Sequence, residues 1–281
     1  MLSKAYVEIT NRCNLHCAFC PGTKRPPRDM TPEEFRLLTP EIKKVTDFVY
    51  FHVMGEPLAH PQLAQMMDIA AARELRVILT TNGTLLLSRA QELLSRPALH
   101  KINISLHSIE ANGVLSPDAY IRTCGTFAKA AGTQGIICCL RLWNLDGEIP
   151  GLRQMNEGIL RLLHEIFPTQ WSENSKGFRL APRVFLEWGQ RFEWPDSKTR
   201  DRGSVGFCQA LRDQVGILSD GTVIPCCLDH EGELALGNAF ITPLSQILDS
   251  PQARAIYDGF SRRQRVAALC RHCGYAERFS K

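Results

Sequence analysis

Six short runs rich in β-branched and aromatic residues mark the first two thirds of the chain: KAYVEIT (4–10), DFVYFHV (47–53), RVILT (76–80), KINISL (101–106), IICCLRL (136–142) and RVFLEW (183–188). Most of the intervals carry a helical pattern instead. Leu63, Met66, Met67, Ala70 and Ala71 recur at helical spacing, and TPEEF from Thr31 has the form of a capped helix start with proline at the first helical position. Alternating strands and helices predict a parallel sheet with crossover helices. The pattern fits a partial barrel and an open doubly wound sheet equally. After the polar, glycine-containing stretch EWPDSKTRDRGSVG (193–206) it changes to a short strand, a turn and one helix. The expected division is therefore a core over 1–190, a linker over 191–207 and a small unit over 208–281. No internal repeat or low-complexity segment interrupts it.

The unusual residues sit at the ends of the expected strands. The first runs into the cysteines of CNLHCAFC (13–20), the second into MGEP (54–57), the third into TNG (81–83), and the fourth ends in SLHS (105–108). Strands five and six end in RLWN (141–144) and LEW (186–188). In parallel α/β folds the loops at the carboxyl ends of strands converge over one mouth, so these six segments are expected to meet there.

Composition narrows the chemistry. A chain of 281 residues affords a full hydrophobic core. It contains no stretch fit to span a bilayer and no signal-peptide pattern at its start, so a cytoplasmic location without membrane contact is expected. A net charge of +4 gives no support for nucleic acid as a partner. Arg254, Arg262, Arg263, Arg265 and Arg271 form a basic tail, read as a solvated helix face before an RNA or acidic-partner site. Eleven cysteines are the outlier, and in a reducing compartment clustered thiols ligate metal or do redox chemistry more often than they form disulfides.

Cys13, Cys17 and Cys20 number three, not four. A structural metal site is closed by a full set of protein ligands, whereas a catalytic one keeps a position open. Four-iron clusters usually take four thiolates, so a three-cysteine loop leaves one iron free. A zinc loop or three buried thiols is the alternative. The C-x3-C-x2-C spacing resembles the radical S-adenosylmethionine (SAM) superfamily. The resemblance implies a partial (β/α)6 TIM-like barrel whose free iron is chelated by the amino and carboxylate groups of SAM. An electron from the 4Fe-4S cluster would cleave SAM to methionine and a 5'-deoxyadenosyl radical, which abstracts hydrogen from substrate. An external electron donor such as flavodoxin or ferredoxin would be the partner.

Further roles follow from that likeness. MGEP is similar to the family's glycine-glycine-glutamate motif, with Met54 in place of the first glycine, which puts Gly55 and Glu56 at the SAM amino group. Phe19 matches the aromatic position that lies against adenine, with loop packing as the alternative. Asn82 and Ser105 suit the carboxylate and ribose, or else cap a turn or helix. His107 would reach ribose or substrate, or serve structurally. Arg141 and Glu187 end apolar strands, where burial without a partner costs roughly several kcal/mol. They pair with each other, or Arg141 meets the SAM carboxylate or substrate while Glu187 binds or deprotonates substrate.

The C-terminal quarter carries a second thiol set: Cys208, then SDGTVIPCC ending in Cys226 and Cys227, then CRHC with Cys270 and Cys273. The order resembles the SPASM and shorter twitch extensions of radical SAM enzymes, although a zinc ribbon shares the C-x2-C ending. With no further cysteines before Lys281, one auxiliary 4Fe-4S cluster is expected, held by Cys208, Cys226, Cys270 and Cys273. Coordinatively full, it would transfer electrons. Cys227 is an alternative ligand or a buried thiol, and Cys124, Cys138 and Cys139 read as core. Strand one starts close to residue 1, so no leader-binding domain is expected before it. A small polar substrate is favoured: an aminosugar, a nucleoside or a modified base such as queuine, handled by an oxidoreductase or lyase. A peptide-modifying maturase is the alternative, and a non-catalytic metal-stabilised RNA- or protein-binding module is the third reading.

Overall fold

The computed structural model describes residues 1–111, 116–144 and 152–279. Its strands are β1 (Lys4–Val7), β2 (Phe48–Phe51), β3 (Arg76–Thr81), β4 (Leu99–Ser105), β5 (Ile137–Leu142), β6 (Ser172–Asn174), β7 (Gly177–Ala181), β8 (Val184–Trp188), β9 (Gln214–Ile217), β10 (Thr222–Ile224) and β11 (Gly237–Asn238). The helices are α1 (Pro32–Val45), α2 (Leu63–Ala72), α3 (Leu86–Leu94), α4 (Pro117–Thr133), α5 (Leu152–Ile166), α6 (Leu244–Leu248), α7 (Pro251–Ser261) and α8 (Ala268–Arg271). All strands join one sheet in the order β11-β10-β9-β1-β2-β3-β4-β5-β8-β7-β6. The six expected strands are β1, β2, β3, β4, β5 and β8, and each pairs in parallel with the next.

Local sequence explains the first helices. Thr31 caps α1 by accepting from Glu34 N, and Glu34 accepts from Thr31 N at 2.8 Å, a reciprocal capping box. On α2, Leu63, Met66, Met67 and Ala70 are fully buried against the sheet, each large side chain contributing about 1.5–3 kcal/mol.

The two faces of the parallel sheet differ in chemistry. Val49, Phe51, Val77, Leu79, Ile102, Ile104, Leu140 and Leu186 join the apolar core with the helices. The alternate positions Tyr6, Tyr50, His52, Thr80, Lys101, Asn103, Ser105, Arg141 and Glu187 line a cavity of about 810 Å³. A doubly wound sheet carries helices on both faces and reads apolar on both. A sheet with one apolar and one polar face instead wraps the polar side around a lumen, which is the partial-barrel solution.

Two features lie outside the expected pattern. After α5 the chain makes the antiparallel strands β6 and β7 on the outer edge of β8. Ser172, Glu173 and Asn174 are all exposed, so nothing in their sequence carries the apolar signature of a strand. More consequentially, β9 pairs in parallel with β1, Lys4 opposite Gln214 and Val7 opposite Ile217. The C-terminal unit thus continues the barrel's sheet, and its hairpin partner β10 is antiparallel to β9.

Candidate active site

The cysteine loop leaves β1 and is tied down at both ends. Thr10 bridges to Asp29, and Asn11 clasps the returning strand by accepting from Arg28 N at 2.7 Å and donating to Pro26 O at 2.9 Å. Between these ties, Arg25 forms a two-pronged bond at 2.8 and 2.6 Å to Glu8, which is fully buried. Glu8 also accepts from Met54 N, Ser219 N and Ser219 Oγ, and Arg25 donates to His230 O at 2.8 Å. One buried ion pair therefore joins the loop, the end of β2 and the C-terminal unit. Within the loop Cys20 N donates to Cys17 O at 3.0 Å, and the thiols of Cys13, Cys17 and Cys20 are exposed or half-buried and unpaired. Burial, then the neighbouring Cys13 and Cys20 thiols, pushes Cys17 up to about 11, so metal binding there releases a proton.

The glycine-glutamate segment sits directly beneath. Gly55 adopts φ +78°, and a Cβ there would lie 2.3 Å from Thr10 O, so only glycine allows this approach. Glu56 N donates to Arg12 O at 2.8 Å. The Glu56 side chain is 2% exposed and turns inward, accepting from Thr81 Oγ1 and Asn82 N at 2.7 Å and Leu58 N at 3.0 Å. Burial pushes its carboxyl up to about 7 against these donors. Its visible work is to lock the ends of β2 and β3 together beside the loop. Asn82 then faces the thiols: Nδ2 donates to Asn14 Oδ1 at 2.9 Å and lies 4.0 Å from Cys13 Sγ. Tyr120 on α4 bonds both Asn82 O and Ser105 O, fixing the neighbouring strand ends.

Phe19 and His107 meet with ring centroids 4.8 Å apart, and Arg191 lies 5.4 Å over Phe19. His107 Nδ1 is 3.1 Å from Arg141 O, and burial pushes its pKa down to about 4, so the ring is neutral at pH 7. Arg141 and Glu187 are opposite each other in the β5–β8 register and do pair, Nε to Oε2 at 3.3 Å. Lys101 stands 3.8 Å from the other Glu187 oxygen, and Arg141 also covers Trp143 at 4.8 Å. Burial opposes ionisation of Glu187, but Arg141 and Lys101 outweigh it and hold the carboxyl below its usual range. Ser105 is opposite Arg141 on the other side.

The C-terminal thiols line the lumen: Cys208, Cys226, Cys227, Cys270 and Cys273 are all in its wall, and Phe19 is the residue of the first cysteine loop that reaches it. Burial, then the neighbouring Cys227, Cys208 and Cys270 thiols, raises the pKa of Cys226. Cys227 lines the same lumen and is hydrogen-bonded with Tyr6. Trp194 spans the two sets, lining the cavity and donating to Phe19 O at 3.2 Å. Cys124, Cys138 and Cys139 are buried, as expected for core thiols.

Glu8, Arg25, Tyr6, His52, Lys101 and Asn103 escaped the sequence reading. The period-two alternation of KINIS, Lys101 and Asn103 between Ile102 and Ile104, was the available signal for a polar lumen. Nothing local announces Glu8, because its partner Arg25 lies across a loop.

By donor chemistry both sets suit iron–sulfur clusters, three free thiols on one loop and the C-terminal thiols lining the lumen, although among the described residues no three such side chains already stand in metal-holding geometry. Comparison with known proteins agrees. Residues 7–149 match the family model described as the radical SAM superfamily, and residues 208–274 match an iron–sulfur cluster-binding domain, SPASM. The chain is 38% identical to a GTP 3',8-cyclase of Mycolicibacterium smegmatis over 271 residues, 80% of this chain and 74% of the relative. It is 25% identical to the antilisterial bacteriocin subtilosin biosynthesis protein AlbA of Bacillus subtilis, covering 92% of this chain and 62% of that protein. In fold it resembles BtrN in complex with AdoMet and 2-DOIA (TM-score 0.60, 16% identity, 97% of this chain and 93% of that one). It also resembles Streptococcus suis SuiB bound to the precursor peptide SuiA (TM-score 0.60, 14% identity, 100% and 73%). The thiol loop, the strand ends gathered beneath it and the family match lead to one conclusion: this chain belongs to the radical SAM superfamily and is a radical SAM enzyme with a SPASM domain, a class that works with 4Fe-4S clusters and SAM.

Proposed function

We propose that this enzyme abstracts hydrogen from a small polar substrate seated in the barrel lumen, at a cluster held by Cys13, Cys17 and Cys20. When bound, the cluster and SAM supply the electron and the radical fragment that takes the hydrogen atom. The chain's own residues do the rest. Asn82 and Asn14 fix the rim beside Cys13, Gly55 lets backbone approach the SAM amino group, and the Phe19–His107 pair forms an apolar wall for adenine. Glu187, kept ionised by Arg141 and Lys101, offers a carboxylate to a substrate hydroxyl or ammonium, or accepts its proton. Cys208, Cys226, Cys270 and Cys273 saturate the auxiliary cluster and leave it no position for substrate, so this end of the cavity takes electrons. An external low-potential donor completes the cycle.

The lumen carries this reading. Its volume of about 810 Å³ falls in the small-molecule range. Within it Asn103 Oδ1 and His52 Nδ1 are buried without a hydrogen-bond partner among the described residues, and a polar ligand would satisfy both. The GTP 3',8-cyclase relative makes GTP the first probe. The likeness to AlbA and to peptide-bound SuiB keeps peptide modification as the second reading. The test is anaerobic turnover with SAM and dithionite, offering GTP, nucleosides and aminosugars against a peptide library. The expected result is 5'-deoxyadenosine formation stimulated by a small molecule and weakened by Asn103→Ala. Stimulation by peptides alone would overturn the small-substrate reading.

A further inference from the structure

We propose that Arg265 is the built-in counter-cation of the auxiliary cluster and sets the potential at which that site accepts an electron. The proposal rests on the reading that Cys208, Cys226, Cys270 and Cys273 hold a four-iron cluster.

The C-terminal unit contains a small clasp. Val205 bridges to Gln264, Gly206 N donates to Arg263 O at 2.8 Å, and Arg265 N donates to Ser204 O at 2.6 Å. The clasp joins the segment entering Cys208 to the segment entering Cys270. Arg265 points inward from it and is 3% exposed. Its guanidinium lies flat on Gly206: a Cβ there would be 2.4 Å from Nε and 2.6 Å from Nη2. The cation is thereby held against the backbone two residues before Cys208.

What Arg265 lacks is equally informative. Other arginines of this part of the chain are paired with carboxylates: Arg202 with Glu193 and Glu277, Arg271 with Asp201, Arg254 with Asp249. Among the described residues Arg265 has no carboxylate within ion-pair range; its one acceptor is Arg202 O at 3.4 Å, and Nε has no partner. A buried guanidinium left this way is costly unless an anion meets it. The anion the fold would bring to it is the cluster: Gly206, on which the guanidinium rests, lies two residues before Cys208, and the clasp holds beside it the segment that leads to Cys270.

A cluster carrying four thiolates is anionic, and more so when reduced, so a fixed cation favours the reduced state and raises the potential. The step is a one-electron gain from a low-potential donor or a substrate radical, with no bond made. Gly206 has a matching role, since any side chain there would displace the guanidinium.

The test uses the full chain with Cys13, Cys17 and Cys20 replaced by Ala, so that one cluster remains. The midpoint is read by dithionite titration followed by electron paramagnetic resonance, with iron content measured in parallel. Arg265→Gln should shift the midpoint to more negative potential, on the order of a tenfold change in reduced-to-oxidised ratio, or roughly 59 mV for one electron. Arg265→Lys should restore most of it. Gly206→Ala should shift it in the same direction as the glutamine variant. An unchanged midpoint in Arg265→Gln with full iron content overturns the proposal; if that variant takes up no iron, an unchanged midpoint in Gly206→Ala does so. Absence of iron from the parent, or zinc in its place, overturns the cluster assignment, and metal content reveals this before any potential is read.

Discussion

The two thiol sets are built on opposite plans: the C-terminal thiols line the lumen, whereas the N-terminal cysteine loop reaches it through Phe19. Cys13, Cys17 and Cys20 lie within eight residues on a single loop, two of them exposed, and as the proposed ligands of a four-iron cluster they would leave one iron for an outside ligand. Cys208, Cys226, Cys270 and Cys273 come from three segments and are half-buried, and as the proposed ligand set they would need no outside ligand. The first arrangement is local in sequence and open in space; the second is dispersed in sequence and closed in space. Openness suits a site that must admit a cofactor, and closure suits one that only exchanges electrons. The supports differ accordingly. The loop is held by the Thr10 and Asn11 ties and the buried Glu8–Arg25 ion pair, whereas the C-terminal set rests on the β9–β10 hairpin and the small helices after it.

The largest test of this contrast is ligand removal. Replacing Cys13, Cys17 and Cys20 with Ala should abolish SAM cleavage and lower iron from about eight to about four per chain. Replacing Cys208, Cys226, Cys270 and Cys273 should remove the same iron yet leave SAM cleavage detectable. Equal loss of SAM cleavage in both variants would dissolve the distinction. A smaller effect is expected at the support. Arg25→Ala leaves Glu8 buried and uncompensated, costing about 3–5 kcal/mol of unfolding free energy by urea titration. It should also lower iron at the N-terminal loop before the C-terminal set.

The smallest effect concerns pH. His107 is held neutral in the fold, its pKa moved from 6.5 to about 4. A depressed folded-state pKa makes the unfolded chain take up the proton first, so stability is full above about pH 6.5 and falls as pH drops toward 4. His107→Asn should flatten that part of the acid-unfolding profile, by up to about 3 kcal/mol at its lower end. An unchanged profile would mean that the ring is solvated, and with it the Phe19 wall.

Much of the site was legible because its signals are local. The C-x3-C-x2-C loop, MGEP, TNG and SLHS each follow a recognisable strand, and the rule that strand ends converge placed them together before any coordinates. Arg141 and Glu187 stood out as charges on apolar strands, but their pairing depends on the β5–β8 register, which spacing does not reveal. Cys226 and Cys227 are adjacent in sequence and alike in composition; only the fold packs Cys226 against the main apolar core and gives Cys227 its hydrogen bond with Tyr6. The closed set was harder to read than the open one because its ligands meet only after folding.

The sequence alone determined the six-strand alternation, the three-thiol loop, the capped α1 and the family to which they belong. Tertiary structure decided that β9 joins β1 across more than two hundred residues, that the C-terminal thiols and Phe19 of the cysteine loop line one polar lumen, and that Glu8 and Arg25 tie that loop to the C-terminal unit. The physical reason is one of range. Caps, turns and ligand spacing are settled by neighbours along the chain, whereas strand pairing and buried charge depend on which distant segments the apolar core draws together.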